Sequence, residues 1–180
     1  AASYNKGSVF LGQLGYIVGE KHLDKILLEY YRQWQFKHPD VNDFVRIAEK
    51  VSGMELDWYK EYWVNSTKTI DYKIDSVWMD DEGTHVRVAR IGAMPMPVEV
   101  SITFKDSTTE THYVPLNLMY GQKPAEGDSI WIPYPAQRWT HRYIVVTSKR
   151  KLSEVSVVEI DPSQRMADIE RRNNKLEIKW

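Results

Sequence analysis

The spacing of apolar residues changes near Thr69. Before that residue, apolar side chains recur every three or four positions, which is typical of helices that bury one face. The clearest stripe consists of Leu23, Ile26, Leu27, Tyr30, Tyr31 and Trp34. Three other helices are predicted: Ser8 to Val18, a helix capped by Asp40 that buries Phe44, Ile47, Ala48 and Val51, and a helix from Asp57 to Trp63. Gly19 and Gly53 are predicted to end helices in the left-handed conformation.

After Thr69, apolar and polar residues alternate, as they do in strands with one face in a core. Strands are predicted at Ile70 to Ile74, Val86 to Val88, Val98 to Phe104, Thr111 to Leu116, Ser129 to Ile132, Arg142 to Thr147, Glu154 to Ile160 and Leu176 to Trp180. Because helices and strands do not alternate, the sheets are predicted to be largely antiparallel. The predicted fold class is α+β, with a small helical layer followed by an antiparallel, immunoglobulin-like β-sandwich.

The change of period also predicts two domains. The helical part would span residues 1–68, and the β-sandwich would span residues 69–180. The connecting segment from Val64 to Thr69 is short, so we expect the helical layer to pack directly on the sheets.

Composition narrows the range of functions. Lysine and arginine number 24 against 25 aspartates and glutamates, and this near balance argues against nucleic acid as a partner. No apolar run is long enough to predict a membrane-spanning segment. The chain has no cysteine, which excludes disulfides and thiolate metal sites but leaves the compartment open between periplasm and cytoplasm.

Common catalytic motifs are missing. The histidines are His22, His38, His85, His112 and His141. No two of them lie one helical turn apart, so the sequence predicts no zinc site in this chain. There is also no Gly-x-Ser-x-Gly elbow and no glycine-rich phosphate loop.

One ordered series of motifs nevertheless points to a family. It begins with Tyr4-Asn5-Lys6-Gly7 and continues through Phe36-Lys37-His38-Pro39, Val51-Ser52-Gly53, Leu56-Asp57-Trp58, Pro95-Met96-Pro97-Val98 and Val158-Glu159-Ile160-Asp161-Pro162. This series resembles the C-terminal part of the aminopeptidase N-like (gluzincin) zinc metallopeptidases, and the resemblance covers most of the chain. It implies that the helical layer is the end of a thermolysin-like catalytic domain.

The resemblance implies a role for Tyr4 and for the parent protein. The phenol of Tyr4 would donate a hydrogen bond to the oxyanion formed during peptide hydrolysis, a form of stabilisation that a rigidly held donor provides well. The parent would be an aminopeptidase that cleaves peptide substrates with zinc. The zinc ligands and the catalytic glutamate would lie on a missing upstream catalytic segment, and this chain would be inactive by itself and bind no zinc.

Other interpretations stay open. Tyr4 could simply pack its ring near the start of its helix. Lys6 is interpreted as a solvated charge, and Gly7 as a site of close approach to a neighbour. The parent could be a scaffold or interaction protein that kept the fold without catalysis. Finally, exposed Trp131 and Trp139 could mark the β-sandwich as a carbohydrate- or peptide-binding module.

Overall fold

The computed structural model of the chain describes residues 2–179, with side chains from Asn5 to Lys179. Four α-helices lie within these residues: α1 (Ala2–Val18), α2 (Glu20–Trp34), α3 (Val41–Ser52) and α4 (Asp57–Trp63). Each helix occupies a region where the apolar spacing predicted one, so the helical assignment is confirmed. Every helix in this range falls short of the length and apolar character needed to cross a membrane.

The start of α3 confirms the predicted cap. The Asp40 carboxylate accepts hydrogen bonds from the backbone N–H groups of Asn42, at 2.8 Å, and Asp43, at 3.0 Å. The Asp43 carboxylate in turn accepts the backbone N–H of Asp40 at 3.0 Å, which completes a capping box. These hydrogen bonds, first of all the one from the Asp43 N–H, hold the pKa of Asp40 below its usual value.

The two predicted terminator glycines behave differently. Gly53 ends α3 in the left-handed conformation, with φ 69° and ψ 19°, as predicted. Gly19 also has a positive φ, of 90°, but its ψ is 147°, so the prediction of a left-handed cap is wrong there. The backbone turns directly from α1 into α2 at this residue, which requires an extended ψ rather than a helical one.

Eight β-strands follow within the described residues. They are β1 (Tyr72–Asp80), β2 (Gly83–Arg90), β3 (Val98–Phe104), β4 (Thr109–Val114), β5 (Ile130–Pro133), β6 (Tyr143–Ser148), β7 (Val155–Ile160) and β8 (Lys175–Glu177). Each overlaps a predicted strand. The apolar residues that predicted β3, Val98, Val100, Ile102 and Phe104, are all buried, but so are the alternate residues Glu99 and Ser101, because the strand is covered on both faces.

The strands form two sheets. One sheet has the order β1-β2-β6, and the other has the order β5-β4-β3-β7-β8. All pairs are antiparallel except β4 and β5, which run parallel. The predicted antiparallel arrangement therefore holds for most pairs and is wrong for this one. The long connection from Val114 to Ile130 allows β5 to return alongside β4 in the same direction.

One apolar core joins the helices to both sheets. Ile17 and Ile26 from the helices belong to the same buried cluster as Val88 from the first sheet and Val100 and Ile160 from the second. This continuity confirms that the helical layer packs directly on the sheets. The described residues therefore form an α+β fold in which α1 is fixed against the β-rich part.

Candidate functional site

Tyr4, the predicted catalytic residue, belongs to the first turns of α1. Its side chain lies outside the described residues, so the oxyanion role stays a prediction. The side chains from Asn5 to Val9 are exposed, and burial of the helix begins at Phe10. The position of Tyr4 therefore depends on how the later turns of α1 are held.

Tyr59 of α4 fixes the middle of α1. The Tyr59 hydroxyl donates a hydrogen bond to the backbone oxygen of Phe10 at 2.9 Å, and the two rings stack with centroids 4.9 Å apart. The side-chain amide of Gln13 donates to the same hydroxyl at 3.3 Å. Gln13 Oε1 accepts the backbone N–H of Ala167 at 2.9 Å. Gln13 is fully buried, and both halves of its amide are satisfied.

Tyr16 fixes the end of α1 to β3. Its hydroxyl donates to the backbone oxygen of Pro97 at 3.2 Å and accepts the backbone N–H of Glu99 at 3.0 Å. Burial is the main reason that the pKa of Tyr16 lies well above its usual value, so the hydroxyl keeps its proton. The predicted site helix is thus attached to α4, to the segment after β7 and to β3.

The neighbours of Tyr4 are less constrained. Lys6 is exposed, with its Nζ 6.0 Å from the ring centroid of Trp63, which is compatible with the predicted solvated charge. A Cβ placed on Gly7 would meet no atom of the described residues within 4 Å. The prediction that Gly7 permits a close helix approach is therefore wrong for the part of the chain that is described.

A cluster of charges with a buried centre at Lys123 and Glu99 lies beside Tyr16. We call Lys123, Glu99, Glu126, Arg165 and Glu20 the Lys123 cluster. Lys123 Nζ forms ion pairs with Glu99 Oε1 and, at 2.6 Å, with Glu126 Oε2. Arg165 pairs with Glu126 at 2.9 Å and with Glu20 at 2.7 Å. The cluster therefore ties α2 to β3 and to the loops that follow β4 and β7.

Burial and pairing act differently on the two carboxylates that contact Lys123. Burial raises the pKa of Glu99, and the charge of Lys123 offsets only part of that increase. Burial also opposes ionisation of Glu126, but hydrogen bonds from Arg165 and Lys123 outweigh it and lower the pKa of Glu126 to about 2. The Lys123 ammonium also lies close to three aromatic rings, at 4.8 Å from Tyr16, 5.8 Å from Tyr113 and 5.8 Å from Trp131.

A polar groove extends from this cluster across the outer face of the larger sheet. It has a volume of about 790 Å³, within the usual range for ligand sites. Its floor includes the hydroxyl side chains of Ser101, Thr103, Thr109 and Thr111, and Trp131 lines one side. The alternation marked Ser101 and Thr103 only as the polar face of a strand, and Thr109 lay outside the predicted strands. Their convergence on one groove depends on strand pairing, which a single sequence does not reveal.

A second cluster that the sequence analysis missed lies on the β1–β2 hairpin. The ligand atoms of Asp80, Glu82 and His85 all lie within 4.8 Å of one another. His85 is buried, its Nε2 lies 2.7 Å from Asp80 Oδ1, and its Nδ1 lies 2.8 Å from Thr147 Oγ1. The hydrogen bond with His85 is the main reason that the pKa of Asp80 is lowered. Two histidines one helical turn apart are not part of this set, so that spacing does not predict it; Asp80 ends β1, Glu82 lies in the turn and His85 lies in β2.

This hairpin cluster does not match the zinc site of the predicted family. Catalytic zinc sites of the thermolysin type use two histidines and one glutamate, whereas the hairpin offers one imidazole and two exposed carboxylates. Both nitrogens of His85 are already hydrogen-bonded, so a cation would have to displace those bonds. The prediction that the chain binds no zinc stays a prediction, and this hairpin is where it is tested.

A further buried histidine links the two sheets. His112 Nε2 lies 3.0 Å from Glu110 Oε2, and His112 Nδ1 lies 2.9 Å from the Tyr134 hydroxyl. That hydroxyl also accepts the backbone N–H of Thr147 in β6 at 2.8 Å. Burial lowers the pKa of His112 despite the nearby carboxylate of Glu110. The group therefore serves a structural role between the sheets.

The aromatic run after β5 does not form one platform. Trp131 lines the polar groove, while Tyr134 and Tyr143 line a different pocket. Trp139 is 43% exposed and lies beside Arg90, whose guanidinium donates to its backbone oxygen at 2.8 Å. Neither tryptophan is buried, so the interpretation of the β-rich part as a binding module stays open, with Trp131 rather than Trp139 beside a groove. Comparisons of the chain with models of known protein families and with curated proteins found no match.

Proposed function

We propose that this chain is the C-terminal part of a zinc-dependent aminopeptidase that resembles the aminopeptidase N-like gluzincins. In this proposal residues 1–68 end the thermolysin-like catalytic domain, and residues 69–180 form an immunoglobulin-like β-sandwich. The observation that carries the proposal is the ordered series of motifs that starts at Tyr4-Asn5-Lys6-Gly7 and continues along most of the chain.

The contacts of α1 support the role proposed for Tyr4. An oxyanion donor is effective only when the protein holds it in place before the reaction, because reorganisation during the reaction would cost free energy. Gln13 and Tyr16, which share one face of α1, anchor the helix through hydrogen bonds to Tyr59, to the Ala167 backbone and to the backbone at the start of β3. These contacts fix the backbone of α1 from Phe10 to Tyr16, which is the support that the described residues give to the proposal.

In the parent enzyme, Tyr4 would act on the charge that develops during peptide hydrolysis. Zinc bound by upstream residues would supply the activation of water. The Tyr4 hydroxyl would donate a hydrogen bond to the oxyanion that forms when water attacks the peptide carbonyl. One such donor is worth about 2.7–4 kcal/mol of transition-state stabilisation. The isolated chain lacks the upstream zinc ligands and the catalytic glutamate of this proposal, so it would be inactive.

The proposal has a direct test in the coding sequence upstream of Ala1. A His-Glu-x-x-His motif there would support it, because this spacing places both imidazoles on one helical face with the glutamate beside them. An upstream sequence with no relationship to that motif would overturn it. The full-length protein should also hydrolyse an aminoacyl-nitroanilide in a zinc-dependent manner.

The alternatives make different predictions in the same experiments. If the parent is a scaffold that kept only the fold, the upstream motif would be present in a degraded form, and the full-length protein would neither hold zinc nor hydrolyse the nitroanilide. If the β-rich part is a binding module, ligand binding would persist in the isolated chain whatever the upstream sequence contains.

A further inference from the structure

We propose that the polar groove over β3, β4, β5 and β7 binds a neutral oligosaccharide. This inference concerns the β-rich part of the chain alone and does not depend on the proposed peptidase activity. It rests on four observations: the order of side chains across the sheet, one hydroxyl without a protein partner, the pairing of the charges around the groove, and the pairing of the β3 and β4 backbones with neighbouring strands.

The floor of the groove presents an ordered row of side chains. Glu159 of β7 lies opposite Ser101 of β3, Ser101 lies opposite Thr111 of β4, and Thr111 lies opposite Trp131 of β5. All four residues line the groove. At strand spacings of 4.7–4.9 Å the row extends over roughly 14 Å. A ligand lying across the strands would meet a carboxylate, two hydroxyls and an indole in turn.

Each side chain of this row can form a contact that is common in sugar binding. Hydroxyls both donate and accept hydrogen bonds, and a carboxylate accepts two at once, so together they match the vicinal hydroxyls of a pyranose. The flat face of an indole packs well against the apolar face of a sugar ring. A second pair of hydroxyls, on Thr103 and Thr109, extends the floor along the strands.

Ser101 is the most specific indication of a ligand. Only 6% of this residue is exposed, although it lies on the floor of the groove. The other hydroxyls of the floor have hydrogen-bond partners. Thr111 Oγ1 bonds Ser129 Oγ at 2.7 Å, and the Thr103 and Thr109 hydroxyls lie 3.3 Å apart. Among the described residues the Ser101 hydroxyl has no partner. The Ser101 oxygen is not one of the fully buried unpartnered atoms, so it is accessible from the groove, where a ligand hydroxyl can form a hydrogen bond with it.

The charges around the groove favour a neutral ligand. Arg165, which also lines the groove, is occupied by Glu126 and Glu20. Lys123 has no exposed side-chain surface and pairs with Glu99 and Glu126. An anionic ligand would therefore find no uncompensated cation among these residues. A neutral polyhydroxylated ligand requires no counter-charge and can use as an acceptor the Glu159 carboxylate, whose ion pair with Lys175 is long, at 4.0 Å.

The strand backbones argue against an extended peptide. β3 is paired on both sides, with β4 and β7, and β4 is paired with β3 and β5. Peptides that add to a sheet use the free backbone groups of an edge strand. The floor over β3 and β4 therefore offers side chains only. β5 is an edge strand at the side of the groove, and the peptide comparison in the test below reports whether a peptide adds there.

The test uses the chain itself with defined sugars. Isothermal titration would be run with neutral hexasaccharides of the β-1,4-glucose, xylose, mannose and N-acetylglucosamine series. Hexagalacturonate and a lysine hexapeptide would serve as the anionic and peptide comparisons. We expect saturable binding of at least one neutral series and none of the two comparison ligands.

Variants then locate the binding site. Trp131→Ala should weaken binding at least tenfold, and Ser101→Ala should weaken it severalfold without leaving any protein group newly unpartnered. Trp139→Ala should bind like the parent chain, because this exposed tryptophan does not line the groove. Trp131 also contacts Tyr113, with ring centroids 5.1 Å apart, so unfolding midpoints would be measured for each variant.

Three results would overturn the inference. They are the absence of binding to every neutral series, binding that Ser101→Ala and Trp131→Ala both leave unchanged, and preferential binding of hexagalacturonate or of the lysine peptide. Ser101→Ala keeps the test decisive even if Trp131→Ala fails to fold, because it removes a hydroxyl that has no protein partner.

Discussion

The hydroxyl of Tyr16 in α1 accepts the backbone N–H of Glu99 in β3 at 3.0 Å and donates to the backbone oxygen of Pro97 at 3.2 Å. One side chain thereby satisfies two backbone groups at the start of β3, the central strand of the larger sheet: one in the strand and one in the residue before it. The helix that carries Tyr4 is attached to the β-rich part through this contact.

Removal of the Tyr16 hydroxyl should therefore weaken the fold. Tyr16→Phe leaves a buried N–H and a buried carbonyl without their partner, at a cost of about 1–3 kcal/mol. Urea denaturation of the chain would measure the loss. Tyr31→Phe is the matched control, because Tyr31 is 63% exposed, and it should leave the unfolding midpoint unchanged. An unchanged midpoint for Tyr16→Phe would show that this attachment contributes nothing to stability.

Loss of the Lys123 ammonium should be more damaging. Lys123→Met leaves Glu99 as a buried carboxylate without its nearest cation, and breaking a buried pair in this way costs about 3–5 kcal/mol. Because burial already raises the pKa of Glu99, lowering the pH should let this carboxyl take up a proton and recover part of the loss. The double variant Lys123→Met with Glu99→Gln should likewise be more stable than Lys123→Met alone. Equal stability of the single and double variants would contradict this explanation, and exposed Lys25→Met is the control.

His112 should make the fold sensitive to mild acid. Its folded-state pKa lies below the ordinary value of 6.5, because burial disfavours the charged ring. The unfolded chain therefore binds this proton more readily, so the contribution of His112 is complete above about pH 6.5 and declines as the pH falls below that value. Unfolding free energies measured from about pH 7.5 to about pH 5 should decrease, and His112→Gln should flatten the curve. Exposed His38→Gln should retain the parent slope; an unaltered slope for His112→Gln would assign the effect to other groups.

Tyr4 should affect turnover rather than metal binding in the full-length parent. Tyr4→Phe removes one oxyanion donor, so kcat should fall by about 10²- to 10³-fold while the zinc content stays the same. Hydrolysis of an aminoacyl-nitroanilide and metal analysis of the same preparation would measure both quantities. Tyr31→Phe on the exposed face of α2 is the control. Unchanged turnover for Tyr4→Phe would remove this residue from the proposed mechanism.

The chain described here should retain no stoichiometric zinc after dialysis. It offers one imidazole and two exposed carboxylates on the β1–β2 hairpin, fewer imidazoles than the proposed catalytic site uses. Elemental analysis would check this prediction. One tightly held zinc per chain would contradict it, and loss of that zinc in His85→Gln would assign the ion to the hairpin.

The helices and strands could be read from the sequence because their patterns are local. A residue such as Ile26 or Val100 must be apolar if its face of a helix or strand is buried, and that requirement repeats with the period of the element. The cap at Asp40 could also be predicted from the sequence, because a carboxylate cap accepts hydrogen bonds from N–H groups only two and three residues away. The prediction for Gly19 was wrong because α2 begins at the next residue, Glu20, so Gly19 is the N-cap of α2 as well as the end of α1.

Tertiary structure alone decided which polar residues meet. Ser101 and Trp131 lie far apart in sequence, and the parallel pairing of β5 with β4, which the alternation did not predict, brings both to one groove. Lys123 lies in a segment without regular spacing, so nothing in the chain near it indicated a buried ion pair with Glu99. The sequence by itself determined which faces are buried, because the hydrophobic effect acts on each element separately. Strand order and register determined the polar groove and the Lys123 cluster, because those depend on contacts between distant segments.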